Sequence, residues 1–219
     1  MTPVFTPPAP VLVPIKGSQS AFPVRRIFCV GRNYSDHVKE MGGDPAKAAP
    51  VFFMKPAEAV VASGTAIAFP PETSDLHHEV ELVVAIGSDG AVFGSAVGVD
   101  LTRRDLQAAA KSAGSPWEAA KAFPRSAPVG VITPGPAPAA GTIELSVNDE
   151  TRQRADLSDM TRGLDDLLVQ LARFFEPLPG DLVFTGTPAG VGPLHPGDRV
   201  NARIAGLDPL TFSIAPQEA

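Results

Sequence analysis

LHHEVELVVAIG, residues 76–87, decides the reading of the chain. In an extended strand side chains alternate between faces, so Glu79 and Glu81 project together while Val80, Leu82 and Val84 take the other side. From Leu82 to Ile86 the segment runs on as the unbroken apolar strand of a sheet interior. Two ionised carboxylates at the end of such a strand repel each other and lose hydration. A divalent cation removes both problems. Oxygen ligands on a rigid strand suit Mg2+ or Mn2+, which need neither cysteine nor histidine. Taken alone, the pair also fits a solvated acidic edge.

Downstream, Ala91–Val99 reads as a second strand and Asp100 stands at its end, where loops gather functional groups. A third carboxylate there completes a facial set, with an N-cap as the alternative. Thr102 followed by Asp105 resembles a capping box opening a helix that runs to Gly114. Lys121, in PWEAAKAFP, is either a surface lysine or a cation beside the acids. Three carboxylates, one divalent ion and one lysine sum to zero charge. His77 and His78 read as supporting or packing residues.

Upstream, Val51–Met54 and Ala59–Ala62 read as strands, and Val24–Val30 as a strand entering the loop Gly31-Arg32-Asn33. Residues 36–42 form one or two helical turns stopped by Gly42 and Gly43. His37 and Glu40 then share a face, so the carboxylate orients the imidazole and raises its basicity, as a general base requires. The same pair also fits an ordinary surface helix. Toward the C-terminus a hairpin is expected over 142–155, turning at Asn148-Asp149-Glu150, and a core helix over 164–176. The tail from Asp181 reads as three short strands around TGTPAGVG, 185–192. That segment lacks the GK[ST] of a phosphate-binding loop. Its glycines suit turns with positive φ, and the segment reads first as a generic turn, with Thr185 or Thr187 as a hydroxyl or backbone donor to a carboxylate the alternative.

Of the 219 residues, 24 are proline and 20 glycine, a turn density that favours short strands over a helical bundle. The expected class is mixed β with few helices, α+β. Residues 1–20 read as a proline-rich arm lying over the body or a neighbouring subunit, and 21–219 as a single catalytic domain. The charge of −6, without a basic cluster, argues against a nucleic-acid partner. The single cysteine, Cys29, cannot form an internal disulfide and fits a reducing, cytoplasmic setting. MTPVFTPPAPVLVPIKG, broken by prolines, reads as neither signal peptide nor membrane span.

Six ordered strings, CVGRNYSDHVKEMG, FFMKPAEAVV, HHEVELVVAIG, GVDLTRRDLQ, PWEAAKAF and GDLVFTGTPAGVG, resemble the fumarylacetoacetate hydrolase family from about residue 25 onward. FTPPAP with FPVRRIFCVGRNY further resembles the bacterial fumarylpyruvate hydrolases of gentisate breakdown. The resemblance implies a mixed β-roll, a homodimer and a bound Mg2+ or Mn2+. It also implies hydrolysis of a carbon–carbon bond in an acylpyruvate-type diketo acid, first of all fumarylpyruvate to fumarate and pyruvate. Carried over by motif, Glu79, Glu81 and Asp100 are the metal ligands, and His37 and Glu40 the water-activating pair on a mobile lid. Lys121 contacts the reacting oxygen, and Arg32, Lys55, Gln107 and Thr187 meet the substrate. The same enolate chemistry leaves open another acylpyruvate hydrolase, an oxaloacetate decarboxylase, a 2-hydroxy-dienedioate isomerase or a non-catalytic metal- or small-molecule-binding protein. The interval from Glu81 to Asp100 is shorter than the family pattern, which fits a short helix there. MTRG, 160–163, is more polar than that pattern.

Overall fold

The computed structural model describes residues 2–40, 42, 44 and 49–217. At its centre lies a mixed sheet in the order Val51–Lys55, Arg26–Gly31, Asp181–Phe184, Val80–Ile86, Val92–Val99, Ala127–Val129, Val60–Ala62. Asp181–Phe184 runs parallel to Arg26–Gly31 and antiparallel to Val80–Ile86. A second sheet takes the order Glu150–Asp156, Thr142–Val147, Arg199–Ile204, Leu210–Ala215, Ala66–Ala68.

The apolar run after Glu81 follows from burial on both faces of the central sheet. Leu82, Val84 and Ile86 pack with Phe28, Val97 and Val99 against Ile143, Leu145 and Phe212 of the second sheet. On the other face Val83 and Ala85 meet Ile27, Cys29, Leu182 and Phe184, covered by Val13, Phe22 and Val24. Burying one such side chain contributes roughly 1.5–3 kcal/mol. The sheet is thereby rigid enough to carry acids at its end. Val11–Pro14 pairs with Ala21–Val24, so the proline-rich segment is stitched by a hairpin to the strand beyond it.

The chain is mostly β, with four short helices among the described residues: Ser35–Glu40, Arg104–Ala113, Glu118–Lys121 and Leu164–Ala172. Helix Ser35–Glu40 is followed by Gly42 at φ 75°; Met41 and Gly43, part of the expected turn and stop, lie outside the described residues. The hairpin is present as Thr142–Val147 and Glu150–Asp156. Its two turn residues, Asn148 and Asp149, both have positive φ (51° and 67°), the backbone of the tight turn that matches strand twist. The short 81–100 interval is a direct hairpin closed by Gly87 N–H donating to Ala91 O (2.8 Å), with no helix inserted.

Three expectations are corrected. Thr102 does not cap the helix that starts at Arg104; its hydroxyl donates to Asp100 O and accepts from Lys121. Asp105 instead accepts from Thr73 Oγ1 (2.6 Å) and Ser74 N (3.0 Å). The tail from Asp181 holds four strands, not three, because Pro196-Gly197 splits Gly192–Leu194 from Arg199–Ile204. The last helix ends at Ala172 rather than 176, and Phe175 packs back against the Phe28 ring at 5.1 Å.

Candidate metal centre and active site

The three acids are brought together by strand register. Val80 pairs with Val99 and Glu81 with Gly98, so Glu79, Glu81 and Asp100 emerge at one end of two adjacent strands. Each offers one oxygen, and these oxygens all lie within 4.8 Å of one another. All three residues are buried. Gly98 makes room for the arrangement: a Cβ there would lie 2.8 Å from Phe184 Cε1 and closer still to Val83.

Around this cluster the counter-charges are unequal. Lys121 Nζ donates to Glu79 Oε2 (2.8 Å), Asp100 Oδ2 (2.7 Å) and Thr102 Oγ1 (2.6 Å). Arg104 Nη2 donates to Glu79 Oε1. Burial pushes the Glu79 carboxyl up, but Lys121 and Arg104 outweigh it and hold the group well below the usual carboxylate range. Among the described residues Glu81 accepts a hydrogen bond only from Gly186 N–H, at 2.7 Å. Burial, then the charges of Asp100 and Glu79, pushes its carboxyl well above that range. Asp100 Oδ1 is a buried oxygen without a donor in hydrogen-bond geometry; the Lys55 amine makes an ion-pair contact with it at 2.8 Å. Three buried carboxylate oxygens within 4.8 Å of one another, one on an acid pushed upward by its neighbours' charges, are what a hard divalent cation relieves, and the all-oxygen donor set fits Mg2+ or Mn2+.

The acids open into a cavity of about 270 Å³. Its lining includes Arg32, His37, Gln107, Lys121 and Thr187 among the expected residues. His37 Nδ1 lies 3.0 Å from Glu40 Oε2. Glu40 is itself anchored, its Oε1 accepting from Gly190 N at 3.0 Å. The glycine-rich turn thus holds the helical pair at the rim. Arg32 reaches the lining from a left-handed backbone, φ 68°. Gln107 accepts from Arg104 Nη1 (2.6 Å). The Thr187 hydroxyl is committed to Val80 O (2.8 Å) and accepts from Gln153. Asn33, next to Arg32, clamps the polar MTRG segment by accepting from Arg162 N (2.9 Å) and donating to Arg162 O (3.1 Å).

Lys55 is placed differently from expectation. It is absent from this lining and lies behind the acids, donating to Leu101 O (3.1 Å) and Lys121 O. It is a buried counter-charge, not a group facing the cavity. The expected balance of three acids, one cation and Lys121 is therefore incomplete. Lys55, Lys121 and Arg104 already neutralise the acids, so a divalent ion leaves a surplus of two positive charges.

Sequence reasoning missed Arg104, Lys111, Trp117 and Phe53, all in the lining. Arg104, Gln107 and Lys111 stand at i, i+3 and i+7 of one helix, a single face. That polar stripe was the available signal. His78 is buried outside this lining, its Nδ1 2.9 Å from Gln153 Oε1, and burial lowers its pKa to about 4.

A family model described as fumarylacetoacetate (FAA) hydrolase C-terminal matches residues 26–215. The chain belongs to the fumarylacetoacetate hydrolase family. Within it, the chain is 40% identical over 205 residues to oxaloacetate tautomerase YcgM of Escherichia coli (strain K12), covering 87% of this chain and 93% of that one. It is 35% identical over 179 residues to a fumarylpyruvate hydrolase of Ralstonia sp, covering 76% and 93%. Among solved structures, fumarylpyruvate hydrolase from Pseudomonas aeruginosa in complex with Mn2+ and pyruvate superposes with a TM-score of 0.95. It is 45% identical, with 99% of this chain and 100% of that one covered. The family's members thus include both hydrolases and tautomerases on this scaffold.

Proposed function

We propose that the chain is a divalent-metal-dependent acylpyruvate hydrolase whose substrate is fumarylpyruvate, cleaved to fumarate and pyruvate. The observation that carries this reading is that His37, hydrogen-bonded to Glu40, lines the same cavity as the acid cluster. Hydrolysis of a diketo acid needs both a water-activating base and a centre that accepts negative charge. Mg2+ or Mn2+ held by Glu79, Glu81 and Asp100 supplies Lewis acidity beside the 2-oxo acid end of the substrate. The Pseudomonas aeruginosa neighbour, solved with Mn2+ and pyruvate, supports that assignment.

In this reading Glu40 accepts from His37 Nδ1–H, which leaves Nε2 free to take a proton from water. Hydroxide adds to the carbonyl carbon distal to the 2-oxo group, and the bond from that carbon to the pyruvate methylene carbon breaks. The electron pair leaves on the pyruvate fragment, which His37 can reprotonate. Lys121 stabilises the oxygen that gathers charge, Arg32 and Gln107 meet substrate oxygens, and Thr187 offers its backbone. The surplus of two positive charges favours a dianionic substrate. The same proposal takes residues 21–219 as one catalytic domain, acting in the cytoplasm as a homodimer. The outer edge of strand Val51–Lys55, unpaired among the described residues, with Met54 exposed and Phe174 nearby against Phe52, supports a self-association face.

A second reading, keto–enol tautomerisation of oxaloacetate, is supported by the 40% identity to the Escherichia coli relative, against 35% to the Ralstonia hydrolase and 45% to the Pseudomonas aeruginosa one. It uses His37 as a base on carbon, without water attack. Pyruvate release from fumarylpyruvate, acetylpyruvate and oxaloacetate, with Mn2+ or Mg2+ present, separates the two when run beside an ultraviolet assay of oxaloacetate enol decay. Turnover led by fumarylpyruvate supports the hydrolase. Enol decay without pyruvate release from any acylpyruvate overturns it.

A further inference from the structure

Between the acid cluster and the cavity mouth runs an aromatic wall. The Lys121 amine lies 5.0 Å from the Phe53 ring centroid. Phe53 meets Trp117 at 5.9 Å, with the rings tilted by 59°. The Lys111 amine then lies 5.2 Å from the Trp117 centroid. All four residues line the cavity. A cation therefore stands at each end of two rings, one beside the acids and the other near solvent.

The charged groups acting on Lys111 are Arg104, Glu79, Lys121 and Arg32, three cations and one acid that Arg104 and Lys121 already engage. No ion pair of Lys111 is found among the described residues. Asp44 is another acid of the lining and has an interaction of its own. A lysine left over in a pocket whose nearest acid, Glu79, is already held by two other cations is arranged to receive an anion.

Helix geometry sets the scale. Lys111 is seven residues beyond Arg104, two turns along the same face and about 10 Å along the axis at 1.5 Å per residue. Arg104 touches Glu79, so Lys111 is displaced from the acid cluster by a distance of that order. An extended carbon chain advances roughly 1.25 Å per bond. A seven-carbon diketo diacid then separates its terminal carboxyl carbons by about 7.5 Å, and a four-carbon oxo diacid by about 4 Å. With the 2-oxo acid end at the acid cluster, the longer molecule brings its far carboxylate within reach of a lysine side chain, and the shorter one does not.

Resting on the hydrolase reading, we propose that Lys111 binds the far carboxylate of a dicarboxylic acylpyruvate, whose planar conjugated chain lies along Phe53 and Trp117. Lys111 is then a specificity-determining residue that selects substrates charged at both ends over acylpyruvates with an apolar end.

The test compares the parent protein, Lys111→Gln and Lys111→Arg, each loaded with Mn2+, on fumarylpyruvate and acetylpyruvate. Loss of one charge-assisted contact made equally in ground and transition states predicts that the ratio of kcat/KM for fumarylpyruvate over acetylpyruvate falls about 10- to 100-fold in Lys111→Gln. The loss is carried by KM, and Lys111→Arg recovers much of the ratio. An unchanged ratio, or parallel loss on both substrates, overturns the proposal. Fumarate binding by isothermal titration calorimetry judges the subsite apart from catalysis. Weaker binding to Lys111→Gln by a similar factor supports it even if the parent hydrolyses no acylpyruvate, an outcome that sinks the hydrolase reading alone. Equal affinities, or no binding to the parent at millimolar fumarate, overturn the subsite.

Discussion

Replacing Lys55 by methionine should destabilise the metal-free protein far more than the metal-loaded one. The amine is fully buried, with contacts to Leu101 O, Lys121 O and Asp100 Oδ1. Methionine keeps most of the volume and the packing near Phe123, whose ring centroid lies 5.4 Å from the amine. What disappears is a charge, leaving Asp100 short of one of its two cations and two carbonyls short of a donor. Breaking a buried pair from one side costs about 3–5 kcal/mol, so metal-free Lys55→Met should lose that much in urea denaturation. A divalent cation repels Lys55 and can itself serve Asp100. Saturating Mn2+ should therefore restore roughly half of the loss, and thermodynamic linkage then requires Mn2+ to bind the variant more tightly, by about tenfold per 1.4 kcal/mol recovered. Paired denaturation curves and a Mn2+ titration monitored by electron paramagnetic resonance give both quantities. Equal losses with and without metal, or weaker Mn2+ binding by the variant, would refute the reasoning that Lys55 and the cation share one acid.

Other outcomes follow from the same geometry. His37→Ala should lower kcat on fumarylpyruvate by about 10²–10⁴-fold while leaving Mn2+ affinity unchanged; undiminished turnover would remove the base assignment. Gly98→Ala places a methyl group against Val83 and Phe184 and should cost about 1–3 kcal/mol by calorimetry, with weaker Mn2+ binding because Glu81 pairs with this position; a melting temperature equal to the parent's would show the strand yields freely. Asp105→Ala should cost about 1–2 kcal/mol by removing the acceptor of Thr73 and Ser74. Partial burial raises the Asp105 pKa, but those bonds outweigh it and lower the group overall. Its contribution is thus complete above the ordinary aspartate value near ~3.9 and fades as pH falls through the lowered folded value, so the difference between parent and variant should narrow only in strong acid. A gap that is constant down to that range would contradict the assignment.

The parts legible from sequence are those set by local periodicity. Period-two alternation put Glu79 and Glu81 on one face, and the end of an apolar strand marked Asp100. Register then joined them, which alternation alone does not specify. Asn148-Asp149 disclosed its hairpin because few residue pairs tolerate two successive positive φ angles. Lys55 was misread because its surroundings come from a distant pairing: Ile27 faces it across the strands, and Lys121 O comes from a helix further on. A helix was foreseen here, though opening two residues early at Thr102, yet its Arg104–Gln107–Lys111 face looks like any solvated stripe until the cavity is seen. The capping-box pattern at Thr102 and Asp105 lost to tertiary partners, Lys121 for one and Thr73 for the other.

The strand Asp181–Phe184 lies between Arg26–Gly31 and Val80–Ile86 although roughly a hundred residues separate it from the nearer of the two. During synthesis on the ribosome, both flanking strands emerge while the slot between them is empty, and the ligand-bearing hairpin waits with one raw edge. Gly186, which donates to Glu81, emerges in the same late stretch. Assembly of the metal centre is thus deferred until residues 181–186 have been translated, and nascent chains stalled before that point present an unpaired, apolar seam to chaperones and to one another.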